Sequence, residues 1–306
     1  MLTRLFTFLI VSTSILVCTP TIAEHLITDS NGQRTLAGVP QRVAVLNWDL
    51  AEQVIELGVA PVAMPGIKDY QKWVVKPALP EGVVDIGTRV EPNYELLATL
   101  KPDVIFIASP QKDLTDRLSK IAPVLLYQTY SEKHDNAEAT LQNFRKIAQV
   151  LGKEKVAEEK LAFLNQQLDA LKQKLDVAFP GQKPKVTTFR FASETSVYIY
   201  GKNSIPEHVL QLLGFENAMP QPATQWGVTQ KVMTDLRQIG NGIALYFLPF
   251  NERANVERSV VWKAMPFVRN KKVASIESTW SYGGAMSLLY NAEALSESLL
   301  RVANAQ

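Results

Sequence analysis

Residues 85–109 read DIGTRVEPNYELLATLKPDVIFIAS, and their order decides the fold. The stretch opens on a short apolar strand that ends at Gly87. Arg89 follows in a loop that Pro92 keeps out of helix, because a proline ring disfavours helical geometry in the residue before it. Asn93 is an N-cap, and Glu95 in the first turn suits the positive end of a helix dipole. Leu96, Leu97 and Leu100 fall on one helical face. Lys101-Pro102 stops the helix, and Val104–Ala108 is a continuous apolar run, as in a strand covered on both faces. Strand, loop, helix and strand make one unit of a parallel sheet, with an arginine at the carboxyl end of the first strand. In open α/β sheets, ligands bind at that edge.

The same texture extends outward. Val43–Leu46 reads as a strand, and Asp49 caps an apolar helix that ends at Leu57-Gly58. Val62–Met64 is the next strand, followed by a loop holding Asp69, Tyr70 and Trp73 and closed by Pro77 and Pro80. A helix is expected from about Asp113 to Ile121, then a strand over Val124–Tyr127. From Asn136 to about Ala178 the apolar residues keep helical spacing, giving one long helix or two joined at Gly152-Lys153. Beyond Pro180-Gly181 strands are expected at Val186–Phe191, Val197–Tyr200, Ile243–Leu248 and Val273–Ile276. Helices are expected after Ser204, over Ser259–Met265 and over Ala285–Val302. The fold class is therefore α/β, with two α/β lobes joined by a single long rigid helix. The boundaries are a signal peptide over 1–23, a first lobe over 24–138, a connecting helix over 139–179 and a second lobe over 180–306.

The N-terminal segment has Arg4, an apolar run over Leu5–Val17 that is short for a membrane span, and a small-residue cleavage site at Thr21-Ile22-Ala23. A membrane anchor and, because of Cys18, a lipoprotein are the alternatives. If Cys18 leaves with the signal, no cysteine remains for a disulfide or a thiolate. The three histidines, His25, His134 and His208, match no metal-ligand spacing. The net charge of +2 and the lack of a basic block give no sign of nucleic acid. The chain also lacks a G-x-S-x-G elbow, a phosphate-cradling glycine loop, an H-E-x-x-H and a G-x-G-x-x-G. What remains is a set of aromatics in expected loops, namely Trp48, Tyr70, Trp73, Trp226, Trp280 and Tyr282. Such side chains offer apolar area together with a polar atom, which suits a binding cleft. Arg89 stands beside them, and Arg190 is an unexpected charge within the apolar stretch Thr187–Ala192.

With these residues in view the chain resembles the periplasmic ferric-hydroxamate siderophore-binding proteins of the ferrichrome-binding type. The resemblance rests on KDYQKWVVKPALPEGVVDIGTRVEPNYELLATLKPD at 68–103, IAP at 121–123 and YGKNS at 200–204. It also rests on VWKAMPFVRNKKV at 261–273 and WSYGGAMS at 280–287, and it covers essentially all of the chain after residue 23. It implies a shallow cleft between the lobes, a ferric siderophore as ligand and delivery to an ABC transporter permease in the inner membrane. It implies a periplasmic monomer that is not an enzyme and needs no cofactor, because the siderophore itself fills the coordination positions of the iron. Arg89 would hydrogen-bond the hydroxamate oxygens, with Trp73, Arg190, Trp226, Trp280 and Tyr282 around the ligand. Gln111 falls where the family's type member has a tyrosine that donates to the chelate. That departure leaves ferrichrome, a ferrioxamine and the citrate-based aerobactin type open as ligands. Glu52 and Glu207 are the acidic residues expected to meet the permease. The alternatives are the same transport role for a catecholate, citrate, haem or cobalamin ligand, a periplasmic chelate-processing enzyme, and an interaction protein.

Overall fold

The computed structural model describes residues 24–305. The signal peptide expected over 1–23, Cys18 within it, and residue 306 lie outside the described residues. The described chain opens with an antiparallel hairpin, β1 (His25–Asp29) and β2 (Gly32–Leu36). It continues through β3 (Val43–Val45), α1 (Trp48–Glu56), β4 (Ala63–Met64), α2 (Ile67–Trp73), β5 (Val84–Asp85) and α3 (Tyr94–Thr99). Next come β6 (Val104–Ile107), a 3-10 segment over Ser109–Leu114, α4 (Thr115–Leu118) and β7 (Val124–Leu126). Five of these strands pair in parallel in the order β5-β4-β3-β6-β7. Strands β3, β6 and β7 are buried along their whole length, as the unbroken apolar runs require. The strand order reverses between β3 and β6. The segments leaving those two strands therefore diverge and open a crevice at their carboxyl ends.

Helices α5 (Asn136–Leu151) and α6 (Glu154–Ala178) come next. Gly152 separates them in the left-handed region, at φ 61°, where its amide caps α5 by bonding back to Ala148 and Gln149. The connecting segment expected over 139–179 thus starts inside α5, which packs on the first-lobe hairpin; the His25 Nε2 lies 2.8 Å from the Gln149 carbonyl. The crossing itself is made by α6, roughly 37 Å long at the rise of an α-helix. Its buried residues Ala157, Leu161 and Leu164 recur at helical spacing on one face.

The second lobe contains β8 (Val186–Phe191), β9 (Ser196–Tyr200), α7 (Ile205–Leu212), β10 (Val228–Val232) and a 3-10 segment over Met233–Ile239. It continues with β11 (Ile243–Phe247), α8 (Arg253–Arg258), α9 (Val260–Lys263), α10 (Pro266–Arg269), β12 (Val273–Ile276) and α11 (Ser287–Asn304). The sheet order is β10-β9-β8-β11-β12; β8, β11 and β12 are parallel, and the β9-β10 hairpin adds antiparallel strands at one edge. One hydrophobic cluster runs through α1, α5, α6, α7 and α11, and separate clusters fill the opposite face of each sheet.

Three local expectations need correction. Asn47, not Asp49, caps α1, its side chain accepting the Trp48 N–H at 2.8 Å, and Asp49 lies inside the first turn. Asp69, Tyr70 and Trp73, expected in a loop, form helix α2, held at its start by the Asp85 carboxylate on the Gly66 and Ile67 amides. The helix expected from Asp113 to Ile121 is a 3-10 segment followed by the short α4.

Candidate ligand-binding cleft

Two lobes meet along α1 and the start of α11. The Glu52 carboxylate accepts the Gly284 N–H at 3.0 Å, the Ser287 N–H at 2.8 Å and the Ser287 hydroxyl at 2.6 Å. Glu56, one turn on, accepts from Tyr290 and pairs with Lys160 at 2.5 Å. Gly283 and Gly284 make this approach possible, since a Cβ on Gly284 would collide with the Gln53 Cγ. Further contacts cross between the lobes: Tyr130 donates to the Gly283 carbonyl at 2.8 Å and Asn203 to the Ser131 carbonyl at 2.7 Å.

Beside this junction the carboxyl ends of both sheets enclose a cleft. Its larger chamber, about 510 Å³, is built from the segments that leave β3 (Asn47, Asp49) and β6 (Ser109, Pro110, Gln111), together with Arg89 and Tyr130. The second lobe supplies Arg190, Tyr198, Trp226, Trp280 and Tyr282. A smaller chamber of about 330 Å³ adjoins it, with Trp48, Asp69, Trp73 and Phe247 in its wall. Arg89, Arg190, Trp280 and Tyr282 line both. The crevice at the β3/β6 reversal is therefore part of the cleft, as the topology requires.

The Arg89 guanidinium lies 4.1 Å from the centre of the Trp48 ring, and among the described residues no carboxylate is within ion-pair distance of it. Burial holds its pKa below the usual arginine value, while Asp49 and Asp69 pull it back up. Arg190 stands over Tyr198 at 4.3 Å. The aromatic wall is continuous, with Trp48 5.4 Å from Trp280, Trp280 5.5 Å from Tyr282 and Tyr282 6.0 Å from Tyr130. Buried polar atoms of the lining have no hydrogen-bond partner among the described residues: Asp49 Oδ1, Ser109 Oγ, Arg190 Nε and Trp280 Nε1. Native proteins seldom leave such atoms unpaired, so these are the points of the lining that water or a polar ligand atom completes. Burial pushes the Asp49 carboxyl up to about 6, against the hydrogen bond from Thr129 and the charge of Arg89.

Of the residues singled out from sequence, Arg89, Gln111, Arg190, Trp226, Trp280 and Tyr282 come together in the larger chamber, and Trp73 lines the smaller. Gln111 is only 1% exposed. Its carbonyl accepts from Asn47 Nδ2 and the Ala108 N–H, each at 3.2 Å, and its amide donates to the Arg89 carbonyl at 3.3 Å. One of the two amide N–H donors is thus used on the loop that carries Arg89. Trp48 and Tyr70, read as loop aromatics, are buried on α1 and α2, and Trp48 Nε1 donates to the Pro65 carbonyl at 2.9 Å.

Glu52 and Glu207 do not stand where a docking surface needs them. Glu52 is 0% exposed in the lobe junction, and Glu207 is 6% exposed, bonded to Asn217 and Gln211. Burial raises the pKa of both, Glu52 to about 8. An acid that meets another protein must reach solvent, so neither presents its charge to a permease. Sequence reasoning also missed Asn47, Asp49, Tyr130 and Tyr198. Asn47, Asp49 and Tyr130 come after strands β3 and β7, and the sheet-edge rule that favoured Arg89 applies equally to them.

Among the described residues no helix is long and apolar enough to cross a membrane, and no group of three or more histidine, cysteine, aspartate or glutamate side chains is placed to hold a metal ion. Residues 43–231 match the family model described as periplasmic binding protein. The chain is 26% identical over 276 residues to the iron(3+)-hydroxamate-binding protein FhuD of Escherichia coli strain K12, covering 90% of this chain and 92% of that one. It is 28% identical over 266 residues to the Fe(3+)-citrate-binding protein YfmC of Bacillus subtilis, covering 84% and 80%. The crystal structure of the siderophore-binding protein FhuD from Vibrio cholerae, bound to Fe3+-Desferal, superposes with a TM-score of 0.84 at 50% identity, covering 86% of this chain and 98% of that chain. The family model spans more than half of the chain and the two-lobed fold agrees with it, so the chain belongs to the periplasmic binding protein family.

Proposed function

We propose that this chain binds a ferric hydroxamate siderophore in the cleft and delivers it to an ABC transporter permease in the inner membrane. The observation that carries the reading is Arg89, a half-buried guanidinium in the cleft with no ion-pair partner among the described residues, set against an aromatic wall. Hydroxamate oxygens around Fe(III) are negatively polarised acceptors, and a planar guanidinium reaches two of them at once. Arg190 supplies a second such donor. Trp226, Trp280 and Tyr282 cover the apolar body of the chelate, and Trp73 closes the smaller chamber. The iron is cargo, held by the siderophore and not by protein ligands.

The 50% identity to a structure containing Fe3+-Desferal supports a hydroxamate over other chelates. The named relatives are substrate-binding proteins and not enzymes, and this chain is a binding protein in the same sense. In this reading it works as a monomer in the periplasm, with its first lobe over 24–138 and its second over 180–306. The test is a titration of the purified protein with ferric hydroxamates, ferric citrate and ferric catecholates, monitored by tryptophan quenching. Saturable quenching by hydroxamates at the lowest concentrations is the expected result. Tight binding of citrate or a catecholate without a hydroxamate response overturns it.

A further inference from the structure

The formal charges that line the two chambers are Asp49, Asp69, Arg89 and Arg190. They cancel, so the cleft offers no net positive field to an anionic chelate. A ferric ion bound by three hydroxamates is a neutral core, because each hydroxamate brings one negative charge. What distinguishes one such ligand from another is then the charge of its pendant groups. Asp49 is the acid placed to read that charge. It is 2% exposed, its Oδ2 is occupied by the Thr129 hydroxyl at 3.1 Å, and its Oδ1 has no partner among the described residues. Asp69 lies at the exposed end of the smaller chamber, with no ion pair of its own among the described residues.

Resting on the hydroxamate reading, we propose that Asp49 is a specificity-determining residue: its free oxygen accepts an N–H donor of the bound chelate, and with Asp69 it selects cationic or neutral ferric hydroxamates over anionic ones. An anionic pendant group placed near Asp49 meets a buried like charge, which the low local dielectric leaves nearly unscreened. A pendant ammonium or amide finds an acceptor there instead, and bonds to a charged acceptor are the stronger kind.

The experiment uses three forms of one ligand that differ only at its terminal amine: Fe3+-Desferal with its free ammonium, the N-acetyl derivative, which is neutral, and the N-succinyl derivative, which is anionic. Wild-type protein should bind the ammonium form at least tenfold tighter than the succinyl form, with the acetyl form between them. Asp49→Asn keeps the shape of the side chain and an acceptor for Thr129, and should shrink that ratio at least threefold. Asp69→Asn, at an exposed position, should shrink it by less and serves if Asp49→Asn fails to fold. Equal affinity of the wild-type protein for all three forms, or a ratio untouched by both variants, overturns the proposal while leaving the hydroxamate reading intact. Binding of none of the three forms overturns the hydroxamate reading itself, and this proposal with it.

Discussion

Asp49 and Glu52 lie one turn apart on α1, and both are almost wholly shielded from water. Glu52 has its oxygens filled by two backbone amides and a hydroxyl from the start of α11. Among the described residues Asp49 has one side-chain partner, Thr129, and its Oδ1, buried in the lining of the cleft, is left without one. The junction side of the helix is thus closed and the cleft side is not. A buried polar group that is fully bonded fixes geometry, whereas one left open awaits a partner from outside. The same contrast separates Gln111 from Arg89. Gln111 gives an amide N–H to the loop, and Arg89, on that loop, has no ion pair among the described residues.

The hardest way to break the comparison is at the junction. Glu52→Ala leaves two amides and a hydroxyl buried without an acceptor. Each unsatisfied donor costs about 1–3 kcal/mol, so stability should drop by roughly 3–5 kcal/mol and the melting temperature by on the order of 10 °C. A thermal melt within 2 °C of wild type, a margin of roughly half a kcal/mol, would show that the lobes do not depend on this contact. The pH dependence sharpens the same point. The Glu52 carboxyl is raised from 4.5 to about 8 by burial, so the folded state holds more protons than the unfolded state between those values. Its contribution is therefore fully present below pH 4.5 and is lost as pH rises through about 8. Asp49, raised from 3.8 to about 6, slopes the same way over a lower window. Melts of wild type and Glu52→Gln across pH 5–8.5 should show a falling wild-type curve that the variant flattens; parallel curves would assign the slope elsewhere.

On the cleft side, Arg89→Ala should weaken ferric hydroxamate binding on the order of tenfold to over a hundredfold, the value of a charge-assisted bond of about 1.5–3 kcal/mol. Its melting temperature should move little, since among the described residues the guanidinium has no ion pair to lose and gives up only its contact with the Trp48 ring. An unchanged dissociation constant, or a large loss of stability, would move Arg89 to the closed side of the comparison.

The smallest effect is expected at Gln111. Gln111→Leu removes the bond to the Arg89 carbonyl, worth about 1 kcal/mol, and should weaken every hydroxamate by roughly fivefold, while the Asn47 Nδ2 and Ala108 N–H donors that lose their acceptor should lower the melting temperature. The ratio between the ammonium and succinyl ligands should stay as in wild type, because the residue acts through the loop. A changed ratio would mean that the side chain touches the ligand after all.

Much of this was legible in the chain. The strand, loop, helix and strand of residues 85–109 appear as β5, Arg89's loop, α3 and β6, with Asn93 accepting the Leu96 N–H as its cap. Ser204 caps α7 by accepting the Glu207 N–H, and β12 spans Val273–Ile276 as its apolar run suggested. These are local matters, settled by side-chain periodicity and by hydrogen bonds a few residues long. The position of Arg89, Trp280 and Tyr282 near strand ends was legible for the same reason.

Whether an acid is exposed is not a local matter. Asp49, Glu52 and Glu207 all sit early on amphipathic helices, and their sequence surroundings look alike. Glu52 is closed off by residues more than 230 positions away, Glu207 by Asn217, and Asp49 by Thr129. Gly283 and Gly284 owe their identity to the same distant partners, because the approach of Gln53 and Glu52 leaves no room for a side chain there. The sequence by itself determined the elements, the α/β class and the strand ends at which a ligand would lie. Only the tertiary structure decided which carboxylates face the cleft and which hold the lobes together, because burial comes from partners that the chain brings near only on folding.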